Sequence, residues 1–303
     1  MTTGRFAPTP SGGLHLGNAL CCLLAWLSAR KQNGRFLMRV EDVDVPRCPR
    51  KAGEQALNDL RWLGFDWDEE ALWQSERTGC YQSALDRLSA MNLTYPCFCT
   101  RAELHREAAP NLGERRFIYP GTCGSLKPAE IAVLSLARSP AIRLRVPDEE
   151  IAFEDGLQGS FSGNLRRDWG DLILRRSDGL FAYQLAVVVD DGASGVTEVV
   201  RGRDLLDSTP VQMCLQQILG LPSPAYIHIP LLLAPDGRRL AKRDHDLDLS
   251  ALSRRCQPGA LLGLLAYSAG LQDSPASTTL NSLLRDFSWD RVPRGDIRLP
   301  ALP

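Results

Sequence analysis

The chain has almost no excess charge of either sign: 35 lysines and arginines stand against 36 acidic residues, for a net charge of -1. Proteins that grip long RNA through its phosphates carry a basic surplus. Any nucleic-acid surface here must therefore be local, and composition neither demands nor excludes RNA. Long apolar runs are missing too. None approaches the roughly 20 residues needed to span a bilayer, which excludes a membrane-spanning helix. The opening Met1-Thr2-Thr3-Gly4-Arg5 has no apolar signal-peptide core. Nine cysteines, an odd number, are scattered without a secretory signal. They argue against a disulfide framework and for a reducing cytoplasm. Cys21, Cys22, Cys48, Cys80, Cys214 and Cys256 read as small packing residues. Internal repeats and low-complexity tracts are absent.

What is present is globular. Of 303 residues, 44% are hydrophobic and 23% charged, enough for a nucleotide-binding domain with one or two small appendages. Gly4–Ala7 reads as a strand, followed by a turn over Pro8–Gly13. Leu16, Leu20, Leu23, Leu24 and Leu27 recur at helical spacing and predict one apolar helix face. Arg35–Val40 is a second strand, so the first forty residues form a βαβ unit with parallel pairing. Helical patterns follow at 52–63 and 76–91. Regular apolar pattern returns at Asp171–Arg175 and Ala182–Val189. A segment at Thr197–Arg201 leads into a helix at 208–219, and Tyr226–Leu233 is a further strand. Small helices follow near Pro258–Ala266 and Leu280–Phe287.

Two segments carry most of the chemistry. Arg5–Asn18 holds a Pro/Gly-rich turn with His15 and Gly17 just where the first helix begins. Unpaired N–H groups and the helix dipole favour a triphosphate at such a start. Gly17 permits close approach, and His15 would bond a phosphate oxygen as charge develops on leaving pyrophosphate. Far along the chain, Arg239-Leu240-Ala241-Lys242-Arg243 forms a basic loop that closes on the same phosphates. The pair points to an ATP-dependent adenylating enzyme. The first turn, Glu41, Arg201 and the basic loop all follow strands, so they converge at the carboxyl ends of a sheet, where ligands bind in open α/β folds.

Between Pro96 and Pro128 the chain is short of periodic apolar residues and carries Cys97, Cys99, His105, Tyr119 and Cys123. Such a stretch lacks mass for its own core and needs another staple. Zinc bound by thiolates is the expected one, with a structural role. The spacing leaves the fourth ligand open, since His105 is a commoner zinc ligand than Tyr119.

The first segment resembles the HIGH motif of class I aminoacyl-tRNA synthetases, and the basic loop resembles KMSKS. The blocks Arg5–Gly12, Arg39-Val40-Glu41-Asp42-Val43-Asp44, Ala182-Tyr183, Val188–Asp191 and Gly195–Gly202 resemble the glutamyl-tRNA synthetase subgroup, in its order. The cysteine pattern and Arg201–Thr209 are closer to the truncated branch, the glutamyl-queuosine tRNA(Asp) synthetases. The chain runs only about sixty residues past its second motif, so no anticodon-binding domain is expected. Two positions depart from the motifs: Asn18 replaces the final His of HIGH, and Arg239 and Ala241 replace Lys and Ser of KMSKS.

The resemblance implies a Rossmann-like α/β fold with a parallel-sheet nucleotide-binding domain. Its catalytic halves are 1–91 and 141–245, with a zinc-binding insertion at 92–140 and a short helical, stem-contact-like appendage at 246–303. It implies ATP-dependent, tRNA-independent activation of L-glutamate, then transfer to the queuosine base of the tRNA(Asp) anticodon. ATP with Mg²⁺ is the co-substrate, and the expected enzyme is a cytoplasmic monomer away from membranes. His15, Gly17 and Lys242 would be catalytic. His15, Gly17, Asn18, Arg239, Lys242 and Arg243 would bind ATP. Glutamate has two carboxylates and one ammonium. Arg5 and Arg201 would each take a carboxylate by a bidentate fork, with Glu41 on the ammonium and Ala7, Thr9 and Tyr183 completing the pocket. The resemblance makes Cys97, Cys99, Tyr119 and Cys123 the zinc ligands. Two other readings use the same motifs: a short glutamyl-tRNA synthetase acting on a tRNA 3′ end, and a nucleotidyltransferase with a non-amino-acid substrate.

Overall fold

The computed structural model describes residues 1–100, 103, 118–238 and 248–300. β1 (Thr3–Phe6), α1 (Leu16–Lys31) and β2 (Arg35–Val40) form the expected βαβ unit. β1 and β2 are parallel, with Gly4 opposite Phe36 and Phe6 opposite Met38. α2 (Arg50–Trp62) returns the chain to β3 (Leu72–Trp73), parallel to β2. The single apolar face expected for α1 is too narrow a description. Leu16, Ala19, Leu20 and every residue from Cys22 to Ala29 are buried, because α1 lies between the sheet and the C-terminal helices. A helix covered on both sides is apolar nearly all round.

α3 (Thr78–Ala90), β4 (Thr94–Cys97), α4 (Pro128–Ala137), β5 (Ala141–Leu144), β6 (Glu150–Asp155), β7 (Gly159–Asn164), α5 (Leu165–Asp168) and β8 (Leu172–Arg175) follow. Here the parallel expectation fails. β4, β5 and β8 form an antiparallel sheet, and β6 and β7 an antiparallel hairpin. The few residues between Asp155 and Gly159 can only reverse the chain, whereas a parallel neighbour needs a crossover of about a dozen.

The apolar run at 182–189 caps and begins α6 (Tyr183–Ala193), which leads to β9 (Glu198–Gly202), α7 (Thr209–Leu219) and β10 (Ala225–Ile229). β9 and β10 are parallel. β9 flanks β1, where the Thr197 amide donates to the Thr3 carbonyl at 2.9 Å. The strand predicted over Tyr226–Leu233 is broken after Ile229. Pro230 has no N–H to give a ladder, and β11 (Leu232–Leu233) pairs instead with β12 (Ile297–Arg298).

α8 (Leu249–Leu252), α9 (Pro258–Ser268) and α10 (Leu280–Asp286) precede β12. The tail is thus helical with one added strand. Leu261, Leu265, Leu280 and Phe287 share a core with Leu20, Leu24 and Leu27 of α1. A second core joins Tyr81 and Leu85 of α3 to Leu185 and Val188 of α6 and Val211 and Leu215 of α7.

Candidate active site

A cavity of about 470 Å³ opens beyond the carboxyl ends of β1, β2, β9 and β10. Arg5, Ala7, Thr9, His15, Gly17, Asn18, Glu41, Tyr183 and Arg201 all line it. These are all the glutamate and ATP residues expected from the sequence that fall among the described residues. Arg239, Lys242 and Arg243 lie outside them, as does His105. Asp248, just beyond the basic segment, bridges to His15, and the Leu249 amide donates to the Leu14 carbonyl at 2.7 Å.

His15 is the N-cap of α1. Its Nδ1 accepts from the Gly17 amide at 3.1 Å and the Asn18 amide at 3.4 Å, while the Asn18 Oδ1 accepts from the His15 amide. The helix-start donors expected to be unpaired are therefore already engaged. This cap also fixes the neutral tautomer: with Nδ1 accepting, the ring proton sits on Nε2. Gly17 also gives the ring room, since a Cβ there would lie 3.0 Å from His15 Nδ1.

Below the turn lies a buried charge cluster. Arg39 pairs with Asp191 at 2.5 Å and with Glu41 at 3.4 Å, and Arg5 reaches Asp191 at 3.4 Å. Burial alone would raise the Asp191 carboxyl, but Arg39 and Arg5 hold it below its ordinary value. For Glu41 burial wins, and its pKa is raised despite Arg39 and Arg5. Thr9 donates its hydroxyl to Glu41 at 3.1 Å. Arg5 gives Nε to Asp191 and an Nη1 hydrogen to the Val200 carbonyl, so its Nη1/Nη2 end is not fully used by these bonds.

Arg201 is more fully committed. Nε donates to His228 Nε2 at 3.0 Å and Nη1 to Gln212 Oε1 at 2.7 Å; Nη2 donates to Thr209 Oγ1 at 2.9 Å and the Leu205 carbonyl at 3.4 Å. Of five guanidinium hydrogens, one on Nη1 remains, so the second fork expected from the sequence reduces to a single bond. Arg39, Asp191, Asp155 and His228 are not among the site residues expected from the sequence. The first two stand inside the motif blocks and were legible there; Asp155 and His228 carry no local signal.

A separate cluster joins β4 to the turn at 119–125. The thiol sulfurs of Cys97, Cys99 and Cys123 lie within 4.8 Å of one another. Cys99 Sγ is 3.5 Å from Cys123 Sγ, and the Tyr119 hydroxyl is 3.5 Å from both Cys97 and Cys99 Sγ. Tetrahedral zinc with bonds of about 2.3 Å separates thiolates by about 3.7 Å, so the donor set suits that ion. Phe98 N–H donates to Cys123 Sγ at 3.4 Å, and Cys123 N–H to the Tyr119 oxygen at 2.9 Å. Both contacts favour electron-rich ligands.

Residues 1–255 match the family described as tRNA synthetases class I (E and Q), catalytic domain. The chain belongs to this family. Among curated relatives of this synthetase, the glutamyl-Q tRNA(Asp) synthetase of Symbiobacterium thermophilum is 48% identical, covering 99% of this chain and 97% of that one. The protein of the same name from Neisseria meningitidis serogroup C strain 053442 is 41% identical over 99% of this chain and all of its own length, 100%. Of solved structures, the glutamate-tRNA synthetase of Elizabethkingia anophelis superposes with a TM-score of 0.85 at 26% identity, covering 99% of this chain and 68% of that one. No described helix of this synthetase is long and apolar enough to cross a membrane.

Proposed function

We propose that the protein is a ligase that activates L-glutamate with MgATP, without tRNA, and esterifies it to queuosine at the anticodon of tRNA(Asp). The observation that carries this reading is the charge pattern of one cavity: Arg5 and Arg201 for two carboxylates, Glu41 for one ammonium, and His15 beside them. The names of the full-length relatives support the same acceptor.

In this reading the Nη end of Arg5 holds one carboxylate by two bonds and Arg201 the other by one, while Tyr183 forms a wall. A carboxylate oxygen of glutamate attacks the α-phosphorus. The new O–P bond replaces the bond to pyrophosphate, giving glutamyl-adenylate. His15 Nε2–H donates to a phosphate oxygen as charge builds there, Asn18 lies beside it, and Lys242 with Arg239 and Arg243 neutralises the triphosphate. A hydroxyl of the queuosine cyclopentenediol then attacks the acyl carbonyl, the bond to AMP breaks, and the hydroxyl proton passes to the departing phosphate. The mixed anhydride is a good acyl donor once held in place, so orientation carries this step.

The reading keeps a zinc-binding unit at 92–140, with Cys97, Cys99, Cys123 and Tyr119 as ligands. Bound zinc would supply a cross-link between β4 and the 119–125 turn, and no chemistry in the cavity. A cytoplasmic monomer completes it.

Pyrophosphate exchange that requires glutamate and proceeds without tRNA is the expected first result. Glutamate should then esterify tRNA(Asp) that contains queuosine and ignore the same tRNA without it. Equal charging of both tRNAs would point to the 3′ end, and exchange indifferent to glutamate would point to another nucleotidyl acceptor.

A further inference from the structure

We infer that Asp155 and His228 form a positioning device for Arg201, setting the direction in which its one remaining N–H enters the cavity. The inference rests on the reading of Arg201 as a glutamate ligand.

His228 stands on β10 opposite Arg201 on β9, and the side chains of His228 and Asp155 are both 0% exposed. Asp155 reaches His228 Nδ1 at 2.5 Å, while Nε2 accepts from Arg201 Nε at 3.0 Å. An imidazole nitrogen that accepts from a guanidinium carries no proton, so the proton lies on Nδ1 and points at Asp155. The ring is thus a neutral relay with one donor and one acceptor, and Asp155 selects which is which. Burial lowers the His228 pKa; Asp155 opposes this and Arg201 adds to it.

The acid is itself locked. Asp155 accepts from the Leu157, Gln158 and His228 amides at the turn of the β6–β7 hairpin. Thr209 from α7 touches both His228 Nε2, at 3.3 Å, and Arg201 Nη2, at 2.9 Å. Tyr226 stacks on the ring with centroids 6.1 Å apart. A buried histidine kept only for packing needs no such polarity. This chain of contacts runs from a hairpin outside the parallel sheet to a side chain lining the cavity. Turning the guanidinium by one nitrogen would move its remaining hydrogen away from the substrate.

Replacement of His228 by two amides separates the roles. In His228→Asn the amide nitrogen takes the place of Nδ1, keeping the Asp155 bond while the acceptor facing Arg201 is lost. In His228→Gln the amide reaches the position of Nε2 and retains that acceptor. In glutamate-dependent pyrophosphate exchange, H228N should raise KM for glutamate about 10- to 100-fold while KM for ATP stays within about twofold. H228Q should recover most of the loss. Thr209→Val, isosteric and without the shared hydroxyl, carries the same expectation should H228N not fold. An unchanged glutamate KM, or equal losses for both substrates in H228N and H228Q, overturns the inference. Wild-type protein with no glutamate-dependent exchange overturns the functional reading and this inference with it. Wild-type exchange paired with an unaltered H228N overturns the inference alone.

Discussion

Burial raises the Glu41 carboxyl above its ordinary 4.5, with Arg39 and Arg5 pulling the other way. An ammonium-binding carboxylate works only when ionised, so glutamate affinity should fall as pH drops through that raised value, beginning above 4.5. KM for glutamate measured between neutral and acid pH should therefore climb before KM for ATP does. Glu41→Gln should remove that pH dependence and cost about 10- to 100-fold in glutamate KM. Stability follows the opposite sign at this residue. The folded state holds the Glu41 proton more tightly than the unfolded chain, so acidification through that window favours folding. Asp191 behaves in reverse: its lowered pKa gives stability that is present above the unfolded 3.8 and is lost as pH falls through the folded value. In the proposed reading His15 has two separable duties. His15→Ala should lose about 1 kcal/mol of cap stability in denaturant melts and slow exchange by about 10²- to 10³-fold. His15→Asn, a good N-cap, should restore the melt and leave the rate low.

At the scale of elements, the sequence offers two readings of His15, a helix cap and a phosphate contact, and the cap is present. The His15 imidazole serves the backbone of α1, its Nδ1 accepting from the Gly17 and Asn18 amides. Spacing alone does not separate the two, because a capping histidine and a phosphate-binding one occupy the same position. The cysteine segment was legible for the opposite reason. Its poverty in apolar residues is a statement about local composition, and Cys97, Cys99 and Cys123 do converge. Metal analysis should find one zinc per chain. Cys99→Ser should abolish it, speed proteolysis of the segment, and lower the melting temperature through the lost metal-coupled folding energy.

For the molecule as a whole, the tail is a wall of the catalytic body. Gly263 of α9 packs so closely that a Cβ would sit 2.0 Å from the Ala276 carbonyl oxygen, and its neighbours Leu262 and Leu264 belong to the core that contains α1. Gly263→Ala should therefore destabilise the protein by about 3 kcal/mol, seen as one cooperative melt at lower temperature rather than loss of the tail alone. Sequence by itself determined the βαβ start, the cavity residues Arg5, His15, Glu41, Tyr183 and Arg201, and the thiol cluster. Those follow from short-range periodicity and from motif blocks whose order survives in the chain. Only the tertiary structure decided which guanidinium hydrogens are already engaged within the protein. Whether Arg201 offers two bonds or one depends on Thr209, Gln212 and His228, which reach it from another helix and another strand. The antiparallel middle, the break at Pro230 and the return of β12 to β11 were settled the same way. Pairing across a sheet depends on which backbone groups meet in space, and local spacing does not record that.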